Sequence, residues 1–275
     1  MEREHDRAES PLTRLAGALG APVVEAARAG LSLWGVLLAT LRLSLRGRRE
    51  PGEVVRQMYQ VGNRSLVFIA VTLGFIAMVS IFQVCYQLNQ VTGDLSKVGA
   101  EFLKLLVHET APTITSMMLC TRVGAGIAAE IGSMVVTEQV DALRMSGVDP
   151  IRYLIVPRFL ACMVMVPAIV IFAAVIGTGT AVAMTYFHFG LNPTVFLDAS
   201  AIAYGDIVTG LVKSLSYGAA IPVISGYCGL TTHGGSEGVG SATTRAVINS
   251  SLAVIVLDFV LGTLSFLIFQ TGAGR

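Results

Sequence analysis

The chain has 275 residues, of which 53% are hydrophobic and 13% are charged, and its mean hydropathy is +0.70. This composition predicts an all-α integral membrane protein, and its 29 glycines favour close helix packing in lipid. The formal net charge of +1 gives no basis for nucleic-acid binding. The four cysteines are far apart and form neither a metal-binding spacing nor a disulfide framework, so we expect no metal site and no cofactor.

The N-terminal part of the chain differs from the rest. Residues 1–22 begin with a charged stretch and are predicted to form a disordered cytoplasmic tail. Residues 23–50 intersperse leucines with arginines, which predicts an amphipathic helix lying in the membrane interface. Pro51 and Gly52 then break the helix. No cleavable signal peptide is expected, because basic residues follow the first apolar stretch where a small-residue cleavage site would stand.

Residues 51–275 are predicted to form one membrane domain. A helix over the third apolar segment would be about 50 Å long, whereas a bilayer core is roughly 30 Å thick. The helix must therefore tilt, protrude or break, and Pro167 is the expected position of a bend. A glycine-rich loop is expected at 231–244, before the last span. The five transmembrane helices are predicted at about 65–88, 102–129, 153–189, 202–230 and 246–269.

Basic residues predict the orientation of these spans. The regions 46–64 and 144–158 and the residue Arg245 all fall on one side of a five-span layout. The positive-inside rule makes that side cytoplasmic. The N-terminus is then cytoplasmic and the C-terminus periplasmic.

A short polar stretch at 133–146 separates the second and third spans. Val136, Val140 and Leu143 recur at helical spacing, which predicts one dry face. Gly147 is placed as a helix stop, and Pro150 cannot continue the helix. The stretch therefore predicts an amphipathic helix at the membrane surface that faces a partner. Its opposite, polar face carries Thr137, Glu138, Asp141 and Arg144.

Several motifs resemble those of one family. They are Glu130-Ile131-Gly132, Thr137-Glu138-Gln139, Asp141-Ala142-Leu143, Gly147-Val148-Asp149-Pro150, Pro157-Arg158, the stretch 56–62 before the first span, and the stretches 235–247 and 257–261 near the end. They closely resemble the MlaE (YrbE) family, the permease subunits of lipid-transporting ABC systems in bacterial envelopes. The resemblance covers about residues 56–269.

The resemblance implies partners and a location. It implies a homodimer in the bacterial inner membrane with a lipid cavity, a cytoplasmic ABC ATPase, a periplasmic MCE-domain protein and, in some systems, a small cytoplasmic STAS-type regulator. The cargo would be phospholipid or a related lipid. The stretch 133–146 would be the coupling helix that docks on the ATPase. The residues expected to couple to the ATPase are Glu130, Glu138, Gln139, Asp141 and Arg144.

Ionisable residues inside the predicted spans are the sharpest candidate sites. Each costs about 2.5–3.5 kcal/mol at mid-bilayer, so each should be paired or face a wet cavity. Lys213 and Asp258 fall on different spans and are predicted to form an ion pair. Glu109, three residues before Pro112, is expected to face the lipid pathway beside a bend, with His108 at its edge. The stretch around it resembles the family's Arg-Glu-Leu-Gly-Pro, with His108 in place of the Arg.

Small residues at four-residue spacing form two stripes. Such stripes let helix backbones approach closely, either within the chain or at a dimer contact. The stripes are Gly124, Ala128 and Gly132, and Gly210, Ser214 and Gly218.

The sequence has no catalytic motif, because it carries neither a phosphate-binding loop nor a nucleophile elbow. We therefore expect a non-catalytic transport subunit, with ATP hydrolysis in a partner chain. The alternative is a self-contained channel or ion-coupled transporter that uses Glu109, Lys213 and Asp258, and a weaker one is a membrane scaffold without transport. Co-purification with an ATPase discriminates the first two.

Overall fold

A computed structural model describes residues 30–44, 51–91, 98–196 and 203–272. Within these ranges the regular secondary structure is entirely helical. The predicted tail at 1–22 lies outside the described residues. The α-helices are α1 (Gly30–Ser44), α2 (Pro51–Val61), α3 (Asn63–Val91), α4 (Val98–Leu105), α5 (Ala111–Leu119), α6 (Ala125–Val136), α7 (Gln139–Met145), α8 (Val156–Phe189), α9 (Pro193–Phe196), α10 (Tyr204–Leu230) and α11 (Gly235–Gly272).

Five helical segments are long and apolar enough to cross a membrane, which confirms the predicted all-α fold with five spans. Most of them extend beyond the predicted bounds, because polar residues at the ends continue the helices. The segments are Gly52–Val91, Val98–Val136, Ile151–Phe189, Tyr204–Leu230 and Gly235–Phe269.

Three short π-helical segments interrupt these spans. Two lie in the second span, at Leu106–Thr110 and Cys120–Gly124, and the third, Ile151–Ile155, begins the third span. A π-helical turn accommodates an extra residue and so turns the side chains that follow it. The first of these segments ends two residues before Pro112, where the sequence predicted a bend.

The third span is unbroken after its π-helical start. α8 runs for 34 residues with Pro167 inside it. It ends at Gly190, whose φ of +64° is the left-handed conformation that commonly stops a helix. The span therefore keeps its full length despite the proline.

α10 lies at the centre of the bundle. It packs against α6, α8 and α11, while α3 packs mainly against α8. Glycines bring the backbones together: a Cβ at Gly210 would lie 2.6 Å from the carbonyl oxygen of Val107, and one at Gly218 would lie 2.9 Å from that of Cys162. The stripe on α10 therefore serves packing within the chain.

α11 corrects the expectation of a glycine-rich loop at 231–244. The helix begins at Gly235 and continues without interruption to Gly272. Gly238 is buried against the carbonyl of His233, where a Cβ would overlap it. The glycines in this stretch therefore permit a close approach at the start of a helix, and the helix-breaking tendency of glycine is overridden by packing.

The predicted helix at 133–146 is two helices. α6 ends at Val136, and α7 begins at Gln139 after a turn in which Glu138 has a φ of +60°. Val140 is buried and Leu143 packs against the core, but Val136 is exposed. The predicted dry face therefore holds only for the part of the stretch after residue 138.

α1 covers part of the region predicted as an interfacial helix at 23–50, whose other residues lie outside the described ones. Ser32 Oγ lies 3.1 Å from the hydroxyl of Tyr227, and Leu33 packs against the bundle. Leu31 and Trp34 are exposed. α1 is therefore attached to the bundle along one side and presents apolar residues on another.

Candidate functional site

The first π-helical segment positions the acidic residue of the second span. It carries both His108 and Glu109, and α10 approaches its Val107 carbonyl at Gly210. His108 Nδ1 lies 3.9 Å from Glu109 Oε1. Both side chains are partly exposed, so this turn of the helix opens on the surface of the bundle.

Lys213 is the centre of a charge cluster. It lies on α10, and its side chain is fully buried. Its Nζ donates to the Glu109 carboxylate of the second span and lies 2.9 Å from Asp258 Oδ1 of α11. The structure thus brings together all three intramembrane charges named from the sequence, including Glu109, which was not predicted to contact Lys213.

Asp258 has further partners. Its Oδ1 accepts hydrogen bonds from the Tyr217 hydroxyl at 2.7 Å and from Thr113 Oγ1 at 3.0 Å. These donors and Lys213 satisfy a carboxylate that would otherwise be costly inside the membrane. Tyr217 and Thr113 were missed from the sequence, because uncharged polar residues are common in spans and give no signal of their own.

A cavity of about 480 Å³ opens beside this cluster. Glu109 and Asp258 form its polar floor, and residues of α11 form the rest of the lining. A Cβ added to Gly262 would lie 3.5 Å from both Glu109 Oε1 and Lys213 Nζ, so the absence of a side chain at this position leaves Glu109 open to the cavity. The remaining lining residues are Ile255, Phe259, Thr263 and Phe266.

The cavity combines apolar walls with a charged floor. Phe259 and Phe266 are exposed along α11, and the cluster beneath carries one cation and two carboxylates. Such a site can hold an amphipathic molecule, with its polar end at the floor and its apolar part along α11.

The residues expected to couple to a partner lie together at one end of the bundle. Glu138, Gln139, Asp141 and Arg144 are exposed on or beside α7, and Arg144 Nη1 donates to Asp141 Oδ1 at 3.0 Å. Glu130 differs from them, since it pairs at 2.9 Å with Arg158, whose side chain is 5% exposed. Glu130 therefore anchors α6 to α8, a role that the sequence did not reveal.

The fold and the site define a class of protein. Three of the five membrane-length segments each contribute one charge to a single cluster, and a cavity with a polar floor opens beside it. These are features of a multi-pass membrane protein that admits a ligand from its flank, as permeases do.

Comparison with known proteins gives the family. The profile of the family described as Permease MlaE matches residues 54–264. A probable ABC transporter permease of the cyanobacterium Synechocystis sp. is 37% identical over 249 residues, which cover 87% of this chain and 94% of that protein. A probable ABC transporter permease of Rickettsia felis is 34% identical over 215 residues, covering 78% of this chain and 83% of the relative.

A plant protein is also similar. It is the chloroplastic protein trigalactosyldiacylglycerol 1 of Arabidopsis thaliana, 33% identical over 224 residues that cover 81% of this chain and 64% of the plant protein. The chain therefore belongs to the MlaE permease family, as its motifs indicated. It is a multi-pass membrane permease.

Proposed function

We propose that this chain is the transmembrane subunit of an ABC transporter that moves phospholipid or a related lipid between the inner membrane and the periplasm or outer membrane. The observation that carries the proposal is the cavity beside Glu109 and Asp258. A lipid needs apolar walls for its acyl chains and a few polar groups for its headgroup. The cavity offers both, and it opens along the exposed apolar side of α11.

The names of the relatives support both ATP hydrolysis as the proposed energy source and a lipid as the proposed cargo. Two of them are named as probable ABC transporter permeases, a class in which separate ATPase subunits hydrolyse ATP. The name of the plant relative contains that of a lipid, trigalactosyldiacylglycerol. In this proposal the ATPase binds α7 through Glu138, Asp141 and Arg144.

The remaining partners and the location follow from the same proposal. The exposed apolar side of α11 would face lipid or a second copy in a homodimer. A periplasmic MCE-domain protein and, in some systems, a STAS-type regulator complete the assembly in the bacterial inner membrane. The end with α7 is cytoplasmic, since Arg144, Arg152 and Arg158 lie there; the N-terminus is then cytoplasmic and the C-terminus periplasmic.

Lipid transport by cavity variants tests the proposal. Glu109→Gln and Glu109→Ala each remove a charge-assisted hydrogen bond of about 1.5–3 kcal/mol and should lower transport. Gly262→Leu fills the floor without removing a charge and should lower transport as well. Gly240→Leu is the matched control, because Gly240 lies on the same helix with open space around it.

Photocrosslinking provides a second measurement. A crosslinker at Thr263 should form an adduct with labelled phospholipid whose yield changes with ATP hydrolysis. A crosslinker at Phe75, exposed on α3 away from the cavity, reports only surrounding lipid and should not respond to ATP. Full transport in the Glu109 and Gly262 variants, with no ATP-dependent adduct, would refute the cavity as the lipid pathway.

An ion-coupled transporter is the second candidate. The cluster of Lys213, Glu109 and Asp258 favours it, because ionisable residues inside membrane spans commonly mark ion pathways. Co-purification in mild detergent separates the two functions. A co-purified ATPase with lipid-stimulated hydrolysis supports the ABC transporter, whereas ion-driven transport by the chain alone supports the second candidate.

A further inference from the structure

A second cavity, of about 390 Å³, lies between the corner of α2 and α3 and the length of α6. It shares no lining residue with the cavity beside Glu109. Arg64 at the start of α3 and Arg122 in the second π-helical segment both line it. The other lining residues are Gln57, Gln60, Val61, Val123, Gly126, Ile127 and Glu130.

The charges around this cavity leave an excess of cations. The carboxylate of Glu130 pairs at 2.9 Å with the buried Arg158. The nearby Glu53 accepts hydrogen bonds from Arg56 and Gln57. Among the residues that the structure describes, neither Arg64 nor Arg122 has a carboxylate within ion-pair distance.

Arg122 contacts the residue next to Arg64 in the chain, and both arginines line the same cavity. Arg122 Nη1 donates to the hydroxyl of Ser65, the residue after Arg64. An arginine in a span costs about 2.5–3.5 kcal/mol unless it is paired or hydrated, and one hydroxyl does not neutralise its charge. An anion in the cavity would supply the missing partner, and guanidinium groups bind phosphate oxygens with two parallel hydrogen bonds.

The position of Arg64 indicates where that anion comes from. Val67, Phe68 and Val71 follow it on α3 and are exposed, as the lipid-facing residues of a span are. Tyr59 precedes it and is exposed, and an exposed tyrosine at the end of a span is typical of the headgroup region. The cavity therefore opens at headgroup depth, where basic pockets between spans bind anionic lipids.

We propose that Arg64 and Arg122 bind the phosphate group of a membrane phospholipid at the end of the bundle that carries α7, with Gln60 as a neutral hydrogen-bonding neighbour. This lipid would lie between the first and second spans. It is distinct from the lipid cargo proposed for the cavity beside Glu109. The proposal requires only that the chain spans a membrane, so it does not rest on the transport function.

Native mass spectrometry of the full chain in mild detergent tests this site. The probes are dioctanoyl phosphatidylglycerol, dioctanoylglycerol without a phosphate, and inorganic phosphate. Wild type should retain the phosphatidylglycerol in preference to dioctanoylglycerol. Arg64→Gln with Arg122→Gln should weaken its binding by about tenfold or more, the effect of one or two lost charge-assisted hydrogen bonds.

Controls separate this result from a general loss of charge or of folding. Arg245→Gln removes an exposed arginine of α11 and should bind like wild type. Arg64→Gln alone changes an exposed side chain, so it provides a folded variant if the double variant fails to fold. Competition by inorganic phosphate would show that the phosphate group suffices, and absence of competition would show that the acyl chains are needed; both outcomes support a phosphate site.

Two results would overturn the proposal. One is equal binding of phosphatidylglycerol by wild type and both arginine variants. The other is loss of a co-purified ATPase from the variants while phospholipid binding is unchanged, which would make the cavity a protein contact. Neither measurement depends on lipid transport. A negative result for this phosphate site is therefore distinguishable from a negative result for the proposed transport function.

Discussion

Lys213 carries its charge where water is excluded, and two carboxylates from other spans share it. Asp258 is well supplied with donors, whereas Glu109 is partly exposed in the cavity. The two acidic residues are therefore not equivalent. Removing Lys213 leaves two carboxylates without their common cation, while removing Asp258 leaves Lys213 with Glu109.

A double-mutant cycle measures this difference. Lys213→Met should destabilise the protein by about 3–5 kcal/mol, the cost of breaking a buried pair from one side. Asp258→Asn should cost less, because Glu109 still neutralises the lysine. The combined variant should recover part of the loss, since only one carboxylate, that of the partly exposed Glu109, is then left without its cation.

Folded yield and thermal unfolding in detergent are the measurements for this cycle. Lys104→Met is the matched control, because that lysine is exposed on α4, and it should change stability little. Strictly additive losses in the cycle would contradict coupling between Lys213 and Asp258.

The sequence identified these residues but not their full geometry. Charges in apolar stretches are conspicuous, so Glu109, Lys213 and Asp258 could all be named. Which charges meet depends on the rotation of each span about its axis, and the π-helical segment at Leu106–Thr110 changes that rotation. The contact of Glu109 with Lys213 and the pairing of Glu130 with Arg158 were not predictable for this reason.

At the level of elements, α7 is separated from α6 by a turn that has no sequence signal. Glycine or asparagine is usual where φ is positive, but Glu138 occupies this position. The amphipathic pattern across 133–146 therefore predicted one helix where there are two. The glycines at 235–240 gave the opposite error, because their number predicted a loop whereas they lie in the first turns of α11.

Two variants of Glu138 distinguish the effect of its left-handed backbone conformation from the effect of its charge. Glu138→Gly keeps the turn and should relieve about 1 kcal/mol of left-handed strain. Glu138→Lys keeps the strain and reverses the charge. If α7 binds the ATPase, Glu138→Lys should weaken that binding by about tenfold, or about 1.4 kcal/mol, and Glu138→Gly should do so less.

Binding of the co-purified ATPase and its lipid-stimulated hydrolysis are measured for both variants. Both proteins should reach the membrane in wild-type amounts, because Glu138 is exposed. Unchanged binding and hydrolysis in Glu138→Lys would remove Glu138 from the coupling surface.

The whole molecule has two ends that an orientation assay can distinguish. Met145 on α7 is 90% exposed, and Thr194 on α9 is exposed after the third span. The native cysteines Cys85, Cys120, Cys162 and Cys228 are all buried, so they give a low labelling background.

Cysteine labelling in cells whose two membranes are opened one after the other checks the proposed topology. Thr194→Cys should react with a membrane-impermeant maleimide from outside the inner membrane once the outer membrane is opened. Met145→Cys should react only after the inner membrane is permeabilised. Reaction of Met145→Cys under the first condition would invert the topology, and wild type serves as the unlabelled reference.

The charge cluster also constrains how the protein is made. The ribosome delivers Glu109 first, Lys213 next and Asp258 last, and each charged span alone is penalised in lipid. The nascent spans are therefore best retained together at the site of membrane insertion until α11 arrives. We therefore expect biogenesis of this protein to end with a cooperative assembly step, in which Asp258 of the last helix joins a lysine that Glu109 already contacts and takes its other hydrogen bonds from Tyr217 and Thr113.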